Sequence, residues 1–424
     1  MNAQQILRAI GNGELDQTLI WLYGADGPGY AAKRCQAAVE GFVERFGDNE
    51  QLHLFSSPGR VELIGNHTDH NHGCVMAGAV NMDILAVACP TEDNIIRVKS
   101  VGHKQDDIDL SDLTPQQEES THSASLIRGT AFDFARKGRK IGGFTAYTTS
   151  DVPKGSGLSS SAAFEVLIGS ILNHFYNEGK ISPEQIAITA QFAENVYFGK
   201  PSGLMDQMAC SVGNIVGIDF NDPQKPVIRP LCLSPEESGH RLVIVSAGHG
   251  HADLTDEYAA IPAEMKAVAS LFGAPVLRGI GYDDLMKKSA EIRKQYGDRA
   301  LLRAIHFVKE NQRAILAADA VENKDFLAFL SLLNASGDSS LLCLQNISAA
   351  SEPTSQGIAL ALAAAKDLLE EEGACRVHGG GFGGTMLAIV PDNKMEAFIY
   401  RMEQLFGKDC CHCLTFRQGA TKII

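Results

Sequence analysis

Residues 152–163 place glycines and three consecutive serines directly before an apolar, helical stretch. Pro153 ends the element before it, and Gly155 and Gly157 lack a Cβ, so the backbone can bend sharply and approach a ligand closely. A helix that starts here aims unpaired N–H groups and the positive end of its dipole at the loop. The run therefore predicts an anion site, with phosphate as the anion. The structural alternative is a helix cap after a surface turn.

A second polar cluster follows the predicted strand 61–64. Asn66, His67 and Asp69 suit sugar hydroxyls, because each hydroxyl both donates and accepts a hydrogen bond. Arg60 begins the strand and can present a fixed cation to a phosphate or a carboxylate. The residue types thus predict a cleft that binds a polyhydroxylated ligand beside an anion.

The histidines of this cluster allow a competing metal site. His67, Asp69, His70 and His72 superficially resemble a binuclear metallohydrolase, and the His249-x-His251 pair could add ligands. The order differs from the His-x-His-x-Asp-His pattern of such sites. A polar turn with partly buried histidines is the structural alternative.

Two acidic residues mark a third cluster. Asp206 follows a helix and a Gly/Pro turn among apolar neighbours, so it is either a helix cap or a base and charge stabiliser. Glu194 lies near the C-terminal end of its helix, where the dipole disfavours an acid. That placement predicts a compensating cation, such as Mg²⁺.

A fourth cluster has five glycines in the seven residues 378–384. Glycine between strands is unfavourable unless the backbone must approach something closely. The cluster predicts either a loop that closes over a nucleotide or a tight double turn.

The elements that position these clusters alternate between strand and helix. Strand 144–148 leads into the serine loop, and helices 162–176 and 183–198 follow it. The second half has long helical patterns over about 255–335 and 354–372. Mixed helices and antiparallel strand signals predict an α+β protein.

Composition narrows the classes of partner. The chain has 424 residues, with 37 Lys and Arg against 51 Asp and Glu, which gives a net charge of −14. An acidic chain is a poor ligand for nucleic acid or an anionic membrane. We see no secretion signal and no apolar run near the roughly 20 residues that cross a bilayer. Ten scattered cysteines indicate reduced core thiols, so we expect a cytoplasmic protein.

Taken in chain order, the four clusters resemble the motifs of the GHMP small-molecule kinases and, within them, of galactokinases. Residues 153–163 resemble the family's phosphate loop, and residues 59–69 resemble its sugar motif. Residues 205–207 and 379–384 resemble the later motifs. The resemblance implies a two-domain α+β fold with the active site in the interdomain cleft. We expect an N-terminal domain over 36–220, a C-terminal domain over 221–424, and an extension, 1–35, without an assigned role.

The resemblance also implies ATP-dependent phosphorylation of a sugar at its anomeric hydroxyl, and it assigns roles by position. Asp206 matches the catalytic aspartate, and Arg60 matches the arginine that stabilises the transferred charge. Ser161 and Glu194 match the Mg²⁺ ligands. The ATP phosphates are expected at Gly155, Ser156, Gly157, Leu158, Ser159, Ser160 and Ser161. The sugar is expected at Asn66, His67, Thr68, Asp69 and Tyr258.

One departure concerns the sugar. Asn66 stands where the family has a glutamate, and a neutral amide tolerates a carboxylate that a glutamate repels. The resemblance implies galactose as the substrate, and galacturonate and N-acetylgalactosamine are alternatives. A metal-dependent hydrolase and a non-catalytic sugar sensor are remote alternatives, the sensor because the catalytic positions are retained. We expect a monomer whose partners are the sugar and ATP, without nucleic acid or membrane.

Overall fold

The computed structural model describes residues 1–25, 27–153, 157–200, 202–248 and 254–424. Within these ranges, a first sheet of eight strands is built on β1 (His53–Ile64) and β2 (Cys74–Pro90). The sequence predicts two short strands at 52–55 and 61–64, and the structure joins them into one. The join is possible because the ladder shifts register between Pro58 and Arg60, so proline's missing N–H is tolerated at an irregularity.

The remaining strands extend this sheet on both sides. Their bounds are β3 (Ile95–Ser100), β4 (Gln105–Asp109), β5 (Phe144–Ser150), β6 (Ile215–Asp219), β7 (Val227–Leu231) and β12 (Thr421–Lys422). The order is β12-β1-β2-β5-β3-β4, with β6 between β2 and β7. Strand β4 lies in a segment that the sequence predicts as a polar loop. Its polarity fits an edge strand in which only Ile108 is buried.

Four helices lie on one face of the first sheet and carry much of the site. They are α4 (Ser123–Arg136), α5 (Ser160–Tyr176), α6 (Pro183–Phe192) and α7 (Met205–Val212). Ser182 caps α6 by accepting a hydrogen bond from the N–H of Gln185. Helix α6 continues as a wider turn over Ala193–Phe198 and ends at Gly199. The sequence pattern does not predict α7, because its eight residues are too few for a clear period.

The N-terminal helices cover the opposite face of this sheet. They are α1 (Ala3–Gly11), α2 (Asp16–Tyr23) and α3 (Pro28–Phe46). Leu85 and Val87 of β2 point into the cluster that contains these helices, whereas Ala86 and Ala88 point to the other face. This alternation is the two-residue period of a strand buried on both sides.

The second half is built on a sheet of order β11-β8-β10-β9. Its strands are β8 (His240–Ser246), β9 (Ala374–Val377), β10 (Thr385–Pro391) and β11 (Cys411–Leu414). Helices α12 (Gly357–Leu369) and α13 (Met395–Phe406) pack on one face, with Val243 and Val245. Helix α11 (Phe326–Ser339) lies on the other face, with Leu242 and Ile244.

A helical layer connects the two sheets. It contains α8 (Thr255–Ser270), α9 (Tyr282–Lys287) and α10 (Ser289–Glu322). The sequence predicts nearly continuous helix over 255–335, but the structure breaks it, most sharply at Gly297 inside α10. The φ of 86° at Gly297 is accessible to glycine and strained for other residues.

Buried charges join the two halves of the molecule. Arg376 of β9 donates from Nη1 to the carbonyl oxygen of Leu63 at 2.8 Å, and its Nη2 pairs with Glu62 Oε1 at 3.3 Å. Glu310 of α10 accepts from the N–H of Gly65 at 2.9 Å. Burial alone would raise the pKa of Glu310, but neighbouring positive groups, including Arg313 and Arg376, lower it to about 2. Charged side chains from the second half of the chain therefore hold the end of β1 in place.

Two expectations about organisation stay predictions. The division at residue 220 is one, and β7 and β12, which follow that position, belong to the first sheet. The absence of a membrane partner is the other. Among the described residues, Phe326–Leu344 is long and apolar enough to cross a membrane by length and composition, contrary to our sequence expectation. A buried core helix passes the same test, and Phe329 and Leu333 lie in the core.

We predict that Arg376→Met lowers the free energy of unfolding by about 3–5 kcal/mol, because it leaves Glu62 and Glu310 buried without their shared cation. Arg401→Met is the control, since Arg401 is half exposed and lies 3.6 Å from Asp367. The control should change stability by less than about 0.5 kcal/mol. Urea unfolding followed by circular dichroism measures both. Equal midpoints for the two variants would contradict the role of Arg376.

Candidate active site

An arginine–aspartate pair lies at the centre of the site. Arg60 of β1 donates from Nε and Nη2 to the two carboxylate oxygens of Asp206 in α7, at 2.8 and 2.9 Å. Burial alone would raise the pKa of Asp206, but the charge and hydrogen bonds of Arg60 outweigh it, so that pKa is lowered. The cap of α7 is Leu204, so Asp206 does not serve as a helix cap. The pair is a fixed, ionised, bidentate contact.

The described part of the serine loop contacts this pair directly. Ser159 Oγ donates to Asp206, and Arg60 Nη1 donates to the carbonyl oxygen of Gly157. The N–H of Arg60 donates to the carbonyl oxygen of Leu158 at 3.0 Å. Ser159 has a left-handed backbone with φ of 57°, and the exposed Ser160 opens helix α5. The loop thus brings a helix N-terminus to Asp206.

Gly155 and Ser156 lie outside the described residues, so the full predicted anion loop stays a prediction. From Gly157 to Ser161, the described residues lead into the start of α5, where the N-cap residue Ser159 makes no side-chain cap hydrogen bond. Gly157 has a φ of 70°, and a Cβ there would lie 3.1 Å from both His378 Nδ1 and Thr385 Oγ1. Close approach and a positive φ therefore both favour glycine here.

A buried carboxylate lies on the other side of the loop. Glu194 Oε1 accepts from Ser161 Oγ at 3.0 Å and from Lys200 Nζ at 2.9 Å. Glu194 Oε2 accepts from Ser202 Oγ at 2.5 Å and from Gln207 Nε2 at 2.8 Å. The compensating cation that the sequence predicts is, in this structure, the Lys200 ammonium. Our sequence reasoning missed Lys200, and its position just beyond the Gly199 turn is the signal that could have found it.

Two oxygen groups at this position suit a magnesium ion. Mg²⁺ takes hard oxygen ligands and usually uses one or two protein groups together with substrate phosphates. The Ser161 hydroxyl and the Glu194 carboxylate are such ligands, and they lie together beside the serine loop. Three-ligand clusters of His, Cys, Asp or Glu are absent from the described residues. His249 and His251, which the hydrolase alternative needs, lie outside those residues.

Two of the predicted sugar residues are engaged by protein in this structure. The amide nitrogen of Asn66 donates to Glu62 Oε1 at 2.8 Å and to the carbonyl oxygen of Gly379 at 2.7 Å. Its oxygen accepts from Asn346 at 2.8 Å, and the residue is fully buried. Thr68, also buried, has its hydroxyl within hydrogen-bond distance of the carbonyl oxygens of Gly65 and Cys74. In this conformation both side chains are hydrogen-bonded within the protein.

Of the other predicted sugar residues, Asp69 lies near Asp206, and His67 and Tyr258 contact the loop 378–384. Burial and the Asp206 charge raise the pKa of Asp69 to about 6. A Cβ on Gly203, just before α7, would lie 1.7 Å from Asp69 Oδ2, so Asp69 reaches across to the segment that carries Asp206. His67 Nε2 lies 3.0 Å from the carbonyl oxygen of Gly380, and burial lowers the pKa of His67 to about 4. A neutral imidazole therefore donates this bond.

The glycine-rich loop 378–384 joins these parts. Its carbonyl oxygens accept from Asn66 at Gly379, from His67 at Gly380, and from the Tyr258 hydroxyl at Gly381 at 2.9 Å. A Cβ on Gly380 would lie 2.3 Å from the Tyr258 ring. Backbone contact with the sugar-side residues explains the glycines, and closure over a nucleotide stays a prediction.

Comparisons with known proteins identify the family of the chain. Residues 40–90 match the galactokinase galactose-binding signature, and residues 125–214 match the GHMP kinase N-terminal domain. The chain is 32% identical over 363 residues to a galactokinase from Actinobacillus pleuropneumoniae, covering 85% of this chain and 91% of that relative. It is 32% identical over 373 residues to a galactokinase from Streptomyces coelicolor, covering 87% and 92%.

Solved structures show the same architecture. The crystal structure of Lactococcus lactis galactokinase complexed with galactose is similar with a TM-score of 0.77 and 25% identity, over 90% of this chain and 98% of that one. The mevalonate kinase of Methanococcus jannaschii shares the fold, with a TM-score of 0.58 over 86% of this chain and 98% of that one, at 18% identity. The arrangement of two sheets flanked by helices is thus that of a known kinase fold.

Proposed function

The chain belongs to the galactokinase family of the GHMP kinases, and from this premise we propose that Asp206 and Arg60 serve transfer of the terminal phosphoryl group of ATP to the anomeric hydroxyl of galactose. One observation carries the proposal. The Asp206 carboxylate is held by Arg60 and by Ser159 at the point where the serine loop opens helix α5. An acceptor hydroxyl beside Asp206 would then face a phosphate bound at that helix.

Charge stabilisation is the main task of this site, because phosphoryl transfer passes through a loose and highly charged transition state. Arg60 keeps Asp206 ionised, and its remaining nitrogen, Nη1, faces the serine loop at the carbonyl oxygen of Gly157. An aspartate with a lowered pKa is a weak base, so it orients the sugar hydroxyl and accepts the proton once the oxygen has become more acidic.

Ser161 and Glu194 would hold Mg²⁺, which supplies positive charge to the ATP phosphates when it is bound. Gln207 fixes the Glu194 carboxylate, and it also donates to Glu165 at 3.2 Å. Burial and the Glu194 charge raise the pKa of Glu165 well above its usual value. A raised pKa disfavours a further negative charge beside Glu194.

Galactose is favoured over the alternative sugars. The galacturonate hypothesis needs the Asn66 amide to face the sugar's terminal carbon, and in this structure that amide is spent on Glu62, Gly379 and Asn346. Asp69 and His67 remain for neutral hydroxyls, and a negative Asp69 would repel a uronate. We keep a monomeric, cytoplasmic enzyme as our prediction.

A panel of sugars tests the substrate. ADP release with ATP and Mg²⁺ should give the highest kcat/KM for galactose, when it is measured against glucose, galacturonate and N-acetylgalactosamine. A higher kcat/KM for galacturonate would show that Asn66 turns toward the ligand when sugar binds. Absence of ADP release with every sugar would contradict the kinase proposal itself.

We predict that Asp206→Asn lowers kcat by about 10²–10⁴-fold, because the carboxylate that accepts the proton is gone. The affinity for ADP, measured by calorimetry, should stay within about threefold, since a pure binding defect would appear there instead. Asp222→Asn, on an exposed turn after β6, is the matched control and should keep its kcat. A variant at 206 with near-normal kcat would remove this residue from the centre of the mechanism.

Galactose binding should weaken in acid, since a protonated Asp69 is a weaker hydrogen-bond acceptor than the carboxylate. The pKa of Asp69 is about 6, so the KM for galactose should rise as the pH falls through about 6, up to tenfold per unit, while the KM for ATP stays flat. Burial raises the pKa of Glu62 to about 7, so Glu62→Gln serves as the control that must keep this rise. A KM for galactose that is constant from pH 5 to 7.5 would count against Asp69 as a sugar ligand.

A further inference from the structure

Two N-terminal helices, α2 and α3, have no role assigned by the motifs, and both contribute side chains to a buried charge cluster. Asp83 of β2 is completely buried and has four donors around its carboxylate. Arg34 of α3 pairs with it at 2.8 Å, Tyr23 of α2 donates at 2.5 Å, and Arg417 lies at 3.1 Å. Ser56 of β1 supplies the fourth hydrogen bond. Two helices of the N-terminal segment are thus attached to the first sheet at one buried carboxylate.

Arg34 also reaches a second carboxylate. Its Nε lies 2.9 Å from Asp151 Oδ2, and the N–H of Asp151 donates to the carbonyl oxygen of Asp83 at 2.9 Å. Asp151 follows the last residue of β5, and Val152 after it is buried. The serine loop comes next in the chain, with Gly157 six residues after Asp151. The guanidinium therefore fixes the point where the chain leaves the sheet to enter that loop.

The charges of this cluster balance. Two arginines face two aspartates, and the Arg34 side chain is only 9% exposed. Burial alone would raise the pKa of Asp83, but Arg34 and Arg417 outweigh it and lower that pKa. A planar guanidinium presents its N–H donors at fixed angles, so Arg34 holds both carboxylates in one fixed geometry.

We propose that Arg34 is a positioning residue for the nucleotide. Through Asp83 and Asp151 it braces the strand end that feeds the phosphate loop, so the N-terminal helices form part of the ATP site although they contribute no residue to the described catalytic cluster. This inference rests on the proposed function, because it takes the serine loop as the phosphate site. A loosened strand end would weaken ATP binding and leave the sugar side unchanged.

Asp151→Asn is the mildest variant, because the Asp151 side chain is partly exposed and Arg34 keeps Asp83 as its partner. It should raise the KM for ATP and the Kd for ADP about fivefold and leave the KM for galactose within twofold. Arg34→Met should do the same more strongly, and Arg34→Lys should restore only part of the affinity. Arg45→Met is the control, since Arg45 lies on the same helix and donates to the half-buried Gln105 of β4 rather than to Asp83 or Asp151. It should match the wild type.

Hydrogen exchange gives a readout that does not depend on activity. Amides in 157–163 should exchange faster in Asp151→Asn than in the wild type, whereas amides in α7 should be unchanged. The Arg34→Met and Asp151→Asn effects on the Kd for ADP should be less than additive in the double variant, because one contact is broken in both. Unchanged exchange and unchanged ADP affinity in Asp151→Asn would overturn the proposal. If the wild type phosphorylates no sugar, the kinase proposal fails, and exchange still decides whether the brace exists.

Discussion

The bidentate contact between Arg60 and Asp206 is the constraint on which the rest of the site depends. It joins the middle of β1 to the first turn of α7 across 146 residues of sequence. Arg60 is buried and the Asp206 carboxylate is only partly exposed, so each charge is stabilised by the other. The sheet, the serine loop and α7 must therefore meet at this point. Ser159 and Gly157 bond to the same pair, so the position of the anion loop follows from that of the charges.

A second set of buried polar contacts holds the residues that we expect to bind the sugar. Arg376, Glu62, Asn66 and Glu310 connect β1 and the turn after it to β9 and α10. The glycine-rich loop then accepts hydrogen bonds from Asn66, His67 and Tyr258 through its backbone. The second half of the molecule thus acts on the site mainly by fixing residues of the first half.

The sequence predicted the motifs and the fold class well, because the chemistry of Arg60, Asp206, Ser161 and Glu194 is carried by residue type and order. The comparisons confirm the family, the mixed helix and sheet fold and the kinase activity. What the sequence did not reveal were partners distant along the chain. The sequence predicts that Asn66 contacts the sugar. In the structure it is buried against Asn346 and Gly379, and only the tertiary structure shows these partners. Helix α7 and strand β4 were missed, since a short helix and a polar edge strand lack a clear hydrophobic period.

We expect the serine loop and α5 to hold the terminal phosphate of ATP beside the sugar hydroxyl that the Asp206 carboxylate orients. A crystal structure with galactose, magnesium and a non-hydrolysable ATP analogue measures this directly. The terminal phosphorus should lie between the N-terminus of α5 and the anomeric hydroxyl, with that hydroxyl within hydrogen-bond distance of Asp206. A triphosphate bound away from residues 157–161, or a sugar whose anomeric hydroxyl points away from Asp206, would contradict it.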